Sequence, residues 1–169
     1  MSARVLILMG SKSDWSVMRV CSEKLEELGV AHDVHVASAH RTPDRVESLI
    51  AEGEKNGVAV HIAAAGMAAH LAGAVAARTT KPVIGVPIPA EPLDGLDSLL
   101  STVQMPPGVP VLTVAAGKAG AINAAIAAAQ ILAVADPALA QRLKDERRAM
   151  ADRVQEHDAA LTEERRNHV

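Results

Sequence analysis

Aromatic residues are almost missing from this sequence, which has no Phe, no Tyr and one Trp in 169 residues. Proteins that bind single-stranded nucleic acids stack the bases on aromatic side chains, so such a role has little support. Positive charge is not in excess either, because 17 Lys and Arg stand against 20 Asp and Glu. The sequence therefore lacks the broad basic surface that nucleic-acid partners require.

Disulfides and membrane-spanning segments are also missing. Cys21 is the only cysteine and cannot form an internal disulfide, and its apolar, helix-like surroundings predict a packed thiol, not a nucleophile. No run is long and apolar enough to span a bilayer. The short apolar run before Gly10 is typical of a first strand and not of a signal peptide, so we expect a cytoplasmic protein.

The remaining composition predicts one domain over residues 1–169, since 49% of the residues are hydrophobic and 22% are charged. Short β-rich runs alternate with helix-like stretches, and several runs are nearly all apolar, as in a parallel sheet covered on both faces. The predicted strands are 4–9, 31–37, 58–64, 82–86 and 109–114, and the predicted helices are 15–28, 43–56, 68–79, 95–103 and 119–134. We expect an α/β core at 1–134 and a charged helical extension at 135–169, beginning near Pro137.

The most informative motif is Ser38-Ala39-His40-Arg41, which follows the second predicted strand. Ligands of open α/β sheets bind outside the carboxyl ends of the strands, so a polar cluster at a strand exit is a candidate site. An imidazole titrates near neutral pH and suits proton transfer, which makes His40 the leading candidate for that role. Alone, the His-Arg pair fits a solvated surface turn better than a site, and it is the other strand exits that favour a functional role.

Other strand exits carry similar signals. The segment from Gly10 to Asp14 offers backbone N–H groups and two hydroxyls to an anion, although Ser13 or Asp14 could simply cap the next helix. A carboxylate suits a ribose diol better than a phosphate, so we assign Asp14 to sugar hydroxyls. After the third strand, small residues could let a flat ligand lie on the main chain. His70 is expected one turn inside the following helix, where a structural histidine is more common than a catalytic one.

Six motifs, taken together and in order, resemble the class I N5-carboxyaminoimidazole ribonucleotide mutases of purine biosynthesis, the PurE family. They are Met9-Gly10-Ser11-Lys12-Ser13-Asp14, Ser38-Ala39-His40-Arg41-Thr42-Pro43, Ala69-His70-Leu71, Pro82-Val83-Ile84-Gly85-Val86-Pro87, Asp97-Ser98-Leu99-Leu100-Ser101 and Val103-Gln104-Met105-Pro106. The resemblance implies a flavodoxin-like, three-layer αβα fold and interconversion of N5-carboxyaminoimidazole ribonucleotide with 4-carboxy-5-aminoimidazole ribonucleotide. It also implies a homo-octamer with active sites between subunits, no membrane partner, and no metal or other cofactor.

The resemblance assigns roles to particular residues. It makes His40 the catalytic acid and base and carries ribonucleotide-binding roles over to Ser11, Ser13, Asp14, Ser38 and Arg41. The loops at the same strand exits add further candidate substrate-binding positions, namely Gly10, Ala39, Gly66, Met67, Ala68, His70 and Leu71. The sequence departs from the family at Met67, where many relatives have glycine, and at Ala72, where proline is frequent. Two alternatives stay open: a direct carboxylase that uses free carbon dioxide, as the class II relatives do, and a non-catalytic, nucleotide-sensing module.

Overall fold

The computed structural model describes residues 4–168, and these form a five-stranded parallel sheet with helices on both faces. The strands are β1 (Arg4–Met9), β2 (His32–Val36), β3 (Val58–Gly66), β4 (Val83–Ile88) and β5 (Leu112–Thr113). The helices are α1 (Trp15–Glu27), α2 (Pro43–Lys55), α3 (Leu71–Ala76), α4 (Leu96–Val103), α5 (Gly117–Ala133) and α6 (Pro137–Asn167). The strand order is β2-β1-β3-β4-β5, which confirms the flavodoxin-like, three-layer arrangement.

Alternating side chains of the central strands build one core on each face of the sheet. In β1, Val5 and Ile7 pack with α1 and α5, whereas Leu6 and Leu8 pack with α2 and α3. The α1–α5 side is made largely of alanine on α5, where the buried residues are Gly120, Ala121, Ala124, Ala125, Ala128 and Ala129. Small side chains allow two helices to approach closely, so this core needs no aromatic residue to fill it.

The ends of two elements differ from the prediction for local backbone reasons. The helix α3 begins at Leu71 and not at residue 68, because Met67 and Ala69 have positive φ values that a right-handed helix excludes. The strand β5 covers only Leu112–Thr113, since Val109 closes a turn with Pro106 and Pro110 has no N–H to donate.

The last helix, α6, is attached to the core only near its start. Leu139 is its buried residue, Arg142 Nε donates to the carbonyl of Leu28 at 2.8 Å, and Lys24 forms an ion pair with Glu146 at 3.1 Å. Residues 151–168 are exposed along their whole length. No helix within 4–168 combines the length and the apolar character needed to cross a membrane.

Candidate functional site

The carboxyl ends of β1 to β4 open into one cavity of about 730 Å³. Every site residue predicted from the sequence lines it: Gly10, Ser11, Ser13, Asp14, Ser38, Ala39, His40, Arg41, Gly66, Met67, Ala68, His70 and Leu71. Because all strands are parallel, their exits lie along one edge of the sheet, and this brings loops from distant parts of the chain together.

The cavity also has lining residues that are not among the predicted site residues, namely Ser16, Val17, Ala65, Ala69, Ile88, Pro89 and Ala90. Two signals could have found some of them. Ser16 lies one helical turn after the predicted Ser13, and Pro89 belongs to a proline-rich stretch directly after β4. The others are small or apolar residues of the wall, and no chemistry in their side chains marks them in a sequence.

The first strand exit is a single 3₁₀ turn over Lys12–Asp14 held by a capping box. Ser11 N–H donates to Asp14 Oδ2 at 2.9 Å, and Ser11 Oγ accepts from the N–H of Ser13 at 3.3 Å. The capping residue of this turn is Ser11, whereas Asp14, at the N-cap of α1, makes no side-chain capping hydrogen bond to that helix. Burial raises the pKa of the Asp14 carboxyl, while the backbone N–H groups of Ser11 and Gly10, together with the Arg41 charge, oppose that rise.

The second strand exit is tied to the first by a guanidinium. Arg41 Nη2 donates to the carbonyl of Gly10 at 3.0 Å, and Arg41 Nε approaches Ser38 Oγ at 3.4 Å. The loop itself is closed by Thr42, whose Oγ1 accepts from the N–H of Ser38 at 2.9 Å. A guanidinium has five N–H donors, so Arg41 keeps donors for an anion while its position is fixed.

The third strand exit brings a second imidazole to His40. Nε2 of His40 lies 2.7 Å from Nδ1 of His70, with ring centroids 4.7 Å apart and planes at 80°. His70 is exposed and sits directly before α3, so its predicted place inside the helix is wrong. The reason is the left-handed turn at Met67 and Ala69, which delays the helix and points the chain back toward the second strand exit.

The wall after β3 depends on small side chains. A Cβ on Gly66 would lie 3.1 Å from the carbonyl oxygen of Ile88, which is tighter than ordinary contact. Met67 follows with φ of 55° and a side chain that is 63% exposed at the cavity. A non-glycine residue in the left-handed region carries strain of about 1–2 kcal/mol, so glycine would be less strained than methionine at this position.

Neither the cysteine nor the metal-ligating side chains of residues 4–168 add a second candidate site. Cys21 is fully buried and burial raises the pKa of its thiol to about 12, which confirms the prediction of a packed, unreactive cysteine. Within residues 4–168 no cluster of three or more His, Cys, Asp or Glu side chains could hold a metal ion.

The fold and the cavity define a class of protein: a parallel α/β domain whose strand exits bring serine hydroxyls, an arginine and two histidines to one cavity. Comparison with known families makes the class specific. The family model described as AIR carboxylase matches residues 4–153, and the chain belongs to this family.

Relatives and solved structures agree with that assignment. The chain is 57% identical over 155 residues to the N5-carboxyaminoimidazole ribonucleotide mutase of Escherichia coli strain K12, covering 92% of each protein. It is 53% identical over 148 residues to the mutase of Bacillus subtilis strain 168, covering 88% of this chain and 91% of the relative. The crystal structure of Treponema denticola PurE superimposes with a TM-score of 0.86 at 29% identity, covering 94% of this chain and 98% of that one.

Proposed function

We propose that this protein is an isomerase that interconverts N5-carboxyaminoimidazole ribonucleotide and 4-carboxy-5-aminoimidazole ribonucleotide in purine biosynthesis. The observation that carries the proposal is that one cavity gathers all the residues expected to bind and convert this substrate. More than half identity to proteins named as this mutase, over nine-tenths of the chain, supports the same activity. We also expect the enzyme to work in the cytoplasm, as the sequence suggested.

The ribonucleotide phosphate is placed between the first two strand exits. The hydroxyls of Ser11, Ser13 and Ser38 line this part of the cavity, and the Arg41 guanidinium bridges its two sides. A phosphate there can take hydrogen bonds from hydroxyls and from a fixed fork of N–H groups. Asp14 is assigned to the sugar hydroxyls, because a carboxylate accepts hydrogen bonds from a diol but repels a phosphate.

The carboxyl group then moves within the bound substrate. The bond between N5 and the carboxylate carbon breaks, carbon dioxide leaves, and the electron pair that stays on N5 takes a proton from His40. Carbon dioxide next forms a bond to C4, and His40 removes the C4 proton, which restores the aromatic ring. Proton transfer of this kind typically contributes about 10²- to 10⁴-fold. Holding carbon dioxide against C4 can offset roughly 7–11 kcal/mol of the barrier.

A bicarbonate-depleted assay tests this reaction against its rivals. The carbamate substrate should be converted without added carbon dioxide, and aminoimidazole ribonucleotide alone should not. Turnover of aminoimidazole ribonucleotide only when carbon dioxide is supplied would favour a direct carboxylase. A protein that binds the product but releases no hydrogen isotope from C4 of the carbamate or of aminoimidazole ribonucleotide would be a nucleotide-sensing module, and both enzymatic readings would then fail.

Assembly into a homo-octamer with sites between subunits is part of the same proposal. An apolar stripe on α4 supports it, since Leu96, Leu99, Leu100 and Val103 are exposed at the spacing of one helix face. The exposed half of α6 offers a second contact surface. Truncation after Leu132 should lower assembly size and activity together, measured by light scattering and turnover. A fully active 17.6 kDa monomer would refute the proposal that the active sites lie between subunits.

A further inference from the structure

The hydrogen bond between His40 and His70 constrains how His40 can move a proton. Two imidazole nitrogens at 2.7 Å need one donor and one acceptor. Nε2 of His40 is therefore occupied by its neighbour, and Nδ1 of His40 has no hydrogen-bond partner within residues 4–168. Only Nδ1 is left to face a substrate in the cavity.

The reaction sets the direction of this hydrogen bond. His40 has to release a proton and later take one back, and both steps must use the same nitrogen, Nδ1. If Nε2 of His40 keeps its hydrogen throughout, it donates to Nδ1 of His70 both when His40 is an imidazolium and when it is neutral. The pair then stays bonded while the proton at Nδ1 leaves and returns. With the opposite direction, protonation of His40 would break the contact, because both facing nitrogens would carry hydrogen.

We propose that His70 is a positioning residue, whose Nδ1 accepts the Nε2–H of His40, fixes its tautomer and steadies its imidazolium form. This inference rests on the proposed isomerase function for its role in turnover. In a Ser-His-Asp triad, a carboxylate accepts a hydrogen bond from the acid–base histidine and holds it in one tautomer. Here the neutral imidazole of His70 takes the place of that carboxylate. A neutral acceptor suits a residue that must give its proton away readily, because a carboxylate would hold the imidazolium more strongly.

The backbone explains why His70 can take this position. Its place before α3 follows from the left-handed turn at Met67 and Ala69, so the imidazole projects from the N-terminal end of the helix toward the Ser38–Arg41 loop. The two rings meet at 80°, edge to face, which directs one ring nitrogen at the other.

Two substitutions separate positioning from mere support of the fold. His70→Leu removes the acceptor, and we expect kcat to fall about 10- to 100-fold, the range for losing a hydrogen bond to a charged group, with little change in KM. The alkaline limb of the kcat/KM profile should move to lower pH, since the imidazolium is less stable. His70→Asn keeps an oxygen near the position of Nδ1 and should restore both kcat and the profile toward wild type. His35→Gln, on the edge strand β2 and away from the cavity lining, is the matched histidine control.

A spectroscopic readout makes the test independent of activity. Solid-state NMR of ring-¹⁵N-histidine-labelled wild type, above the pH at which imidazoles titrate, should show His40 with hydrogen on Nε2 and a bare Nδ1; His40→Asn identifies the signals. Hydrogen on Nδ1 of neutral His40, or unchanged kcat and pH profile in His70→Leu, would overturn the proposal. A wild type without isomerase activity would refute the proposed function. The NMR result would still show whether Nε2 of His40 donates to Nδ1 of His70.

Discussion

His61 should make the stability of this protein depend on pH, because its imidazole is buried in the core without a partner. The side chain is fully buried on β3, and neither ring nitrogen has a hydrogen-bond partner within residues 4–168. Val60 and Ile62 pack toward α1 and α5, so strand alternation turns His61 toward α2 and α3. Burial lowers the pKa of this imidazole from its ordinary value of 6.5; the charge of Glu54 opposes the shift and that of Lys81 adds to it.

The sign of the effect follows from the direction of that shift. The unfolded chain binds a proton on His61 as the pH falls through 6.5, whereas the native ring takes one up only at lower pH, so acid favours unfolding. One such proton lowers the free energy of unfolding by up to about 1.4 kcal/mol between pH 7.5 and pH 5.5. Above pH 7.5 the contribution no longer changes.

The assay compares wild type with His61→Leu, which replaces the imidazole by an apolar side chain. Urea unfolding at pH 7.5, 6.5 and 5.5, at one protein concentration, gives the free energy of unfolding of each protein. The difference in free energy of unfolding between the two proteins should widen by up to about 1.4 kcal/mol toward pH 5.5, in favour of the variant. A gap that stays constant with pH would show that the native ring takes up a proton, and the reasoning from burial would be refuted.

Three further substitutions test the site and the sheet. His40→Asn should keep product binding but lose turnover by at least about 100-fold, measured by steady-state kinetics, and near-normal rates would remove His40 from the chemistry. Arg41→Lys should weaken product binding in calorimetry although the charge is kept, because lysine lacks the guanidinium fork; unchanged affinity would take Arg41 out of the phosphate site. Gly85→Ala should destabilise by about 1–3 kcal/mol in urea unfolding, since a Cβ there would lie 2.4 Å from Thr102 Cγ2. In the control Gly73→Ala, the new Cβ meets only ordinary contact, so equal losses in both variants would refute the steric argument.

The parts of the fold that sequence could predict are those set by hydrophobic pattern. Apolar runs such as residues 82–86 indicated buried parallel strands, of which this one is observed at Val83–Ile88, and parallel strands bring their exits to one edge. That was enough to place Ser11, His40 and Arg41 in one cavity, as the structure does. The resemblance to a family supplied the substrate, which pattern alone could not.

The parts that sequence missed depend on backbone detail and on contacts between distant residues. No composition rule indicated that Met67 and Ala69 would take positive φ, so α3 was expected too early and His70 was placed inside it. The His40–His70 contact joins residues 30 positions apart and needs the folded chain to appear. His61 sits in an apolar run that predicted a buried strand correctly but said nothing about an unpaired ring.

The buried alanines of α5 form an alanine-rich seam against α1, and substitutions there should be tolerated far less than substitutions on the exposed surface. Ala121, Ala124, Ala125 and Ala128 are completely buried, so each added methyl group must displace a packed neighbour. Overpacking of this kind typically costs about 1–3 kcal/mol, and a domain has only about 5–15 kcal/mol in total. Two or three enlargements in this seam would together cost about 2–9 kcal/mol, a large share of the stability of the domain. In a saturation-mutagenesis map the seam should stand out as a stripe of positions where only glycine, alanine or serine survives.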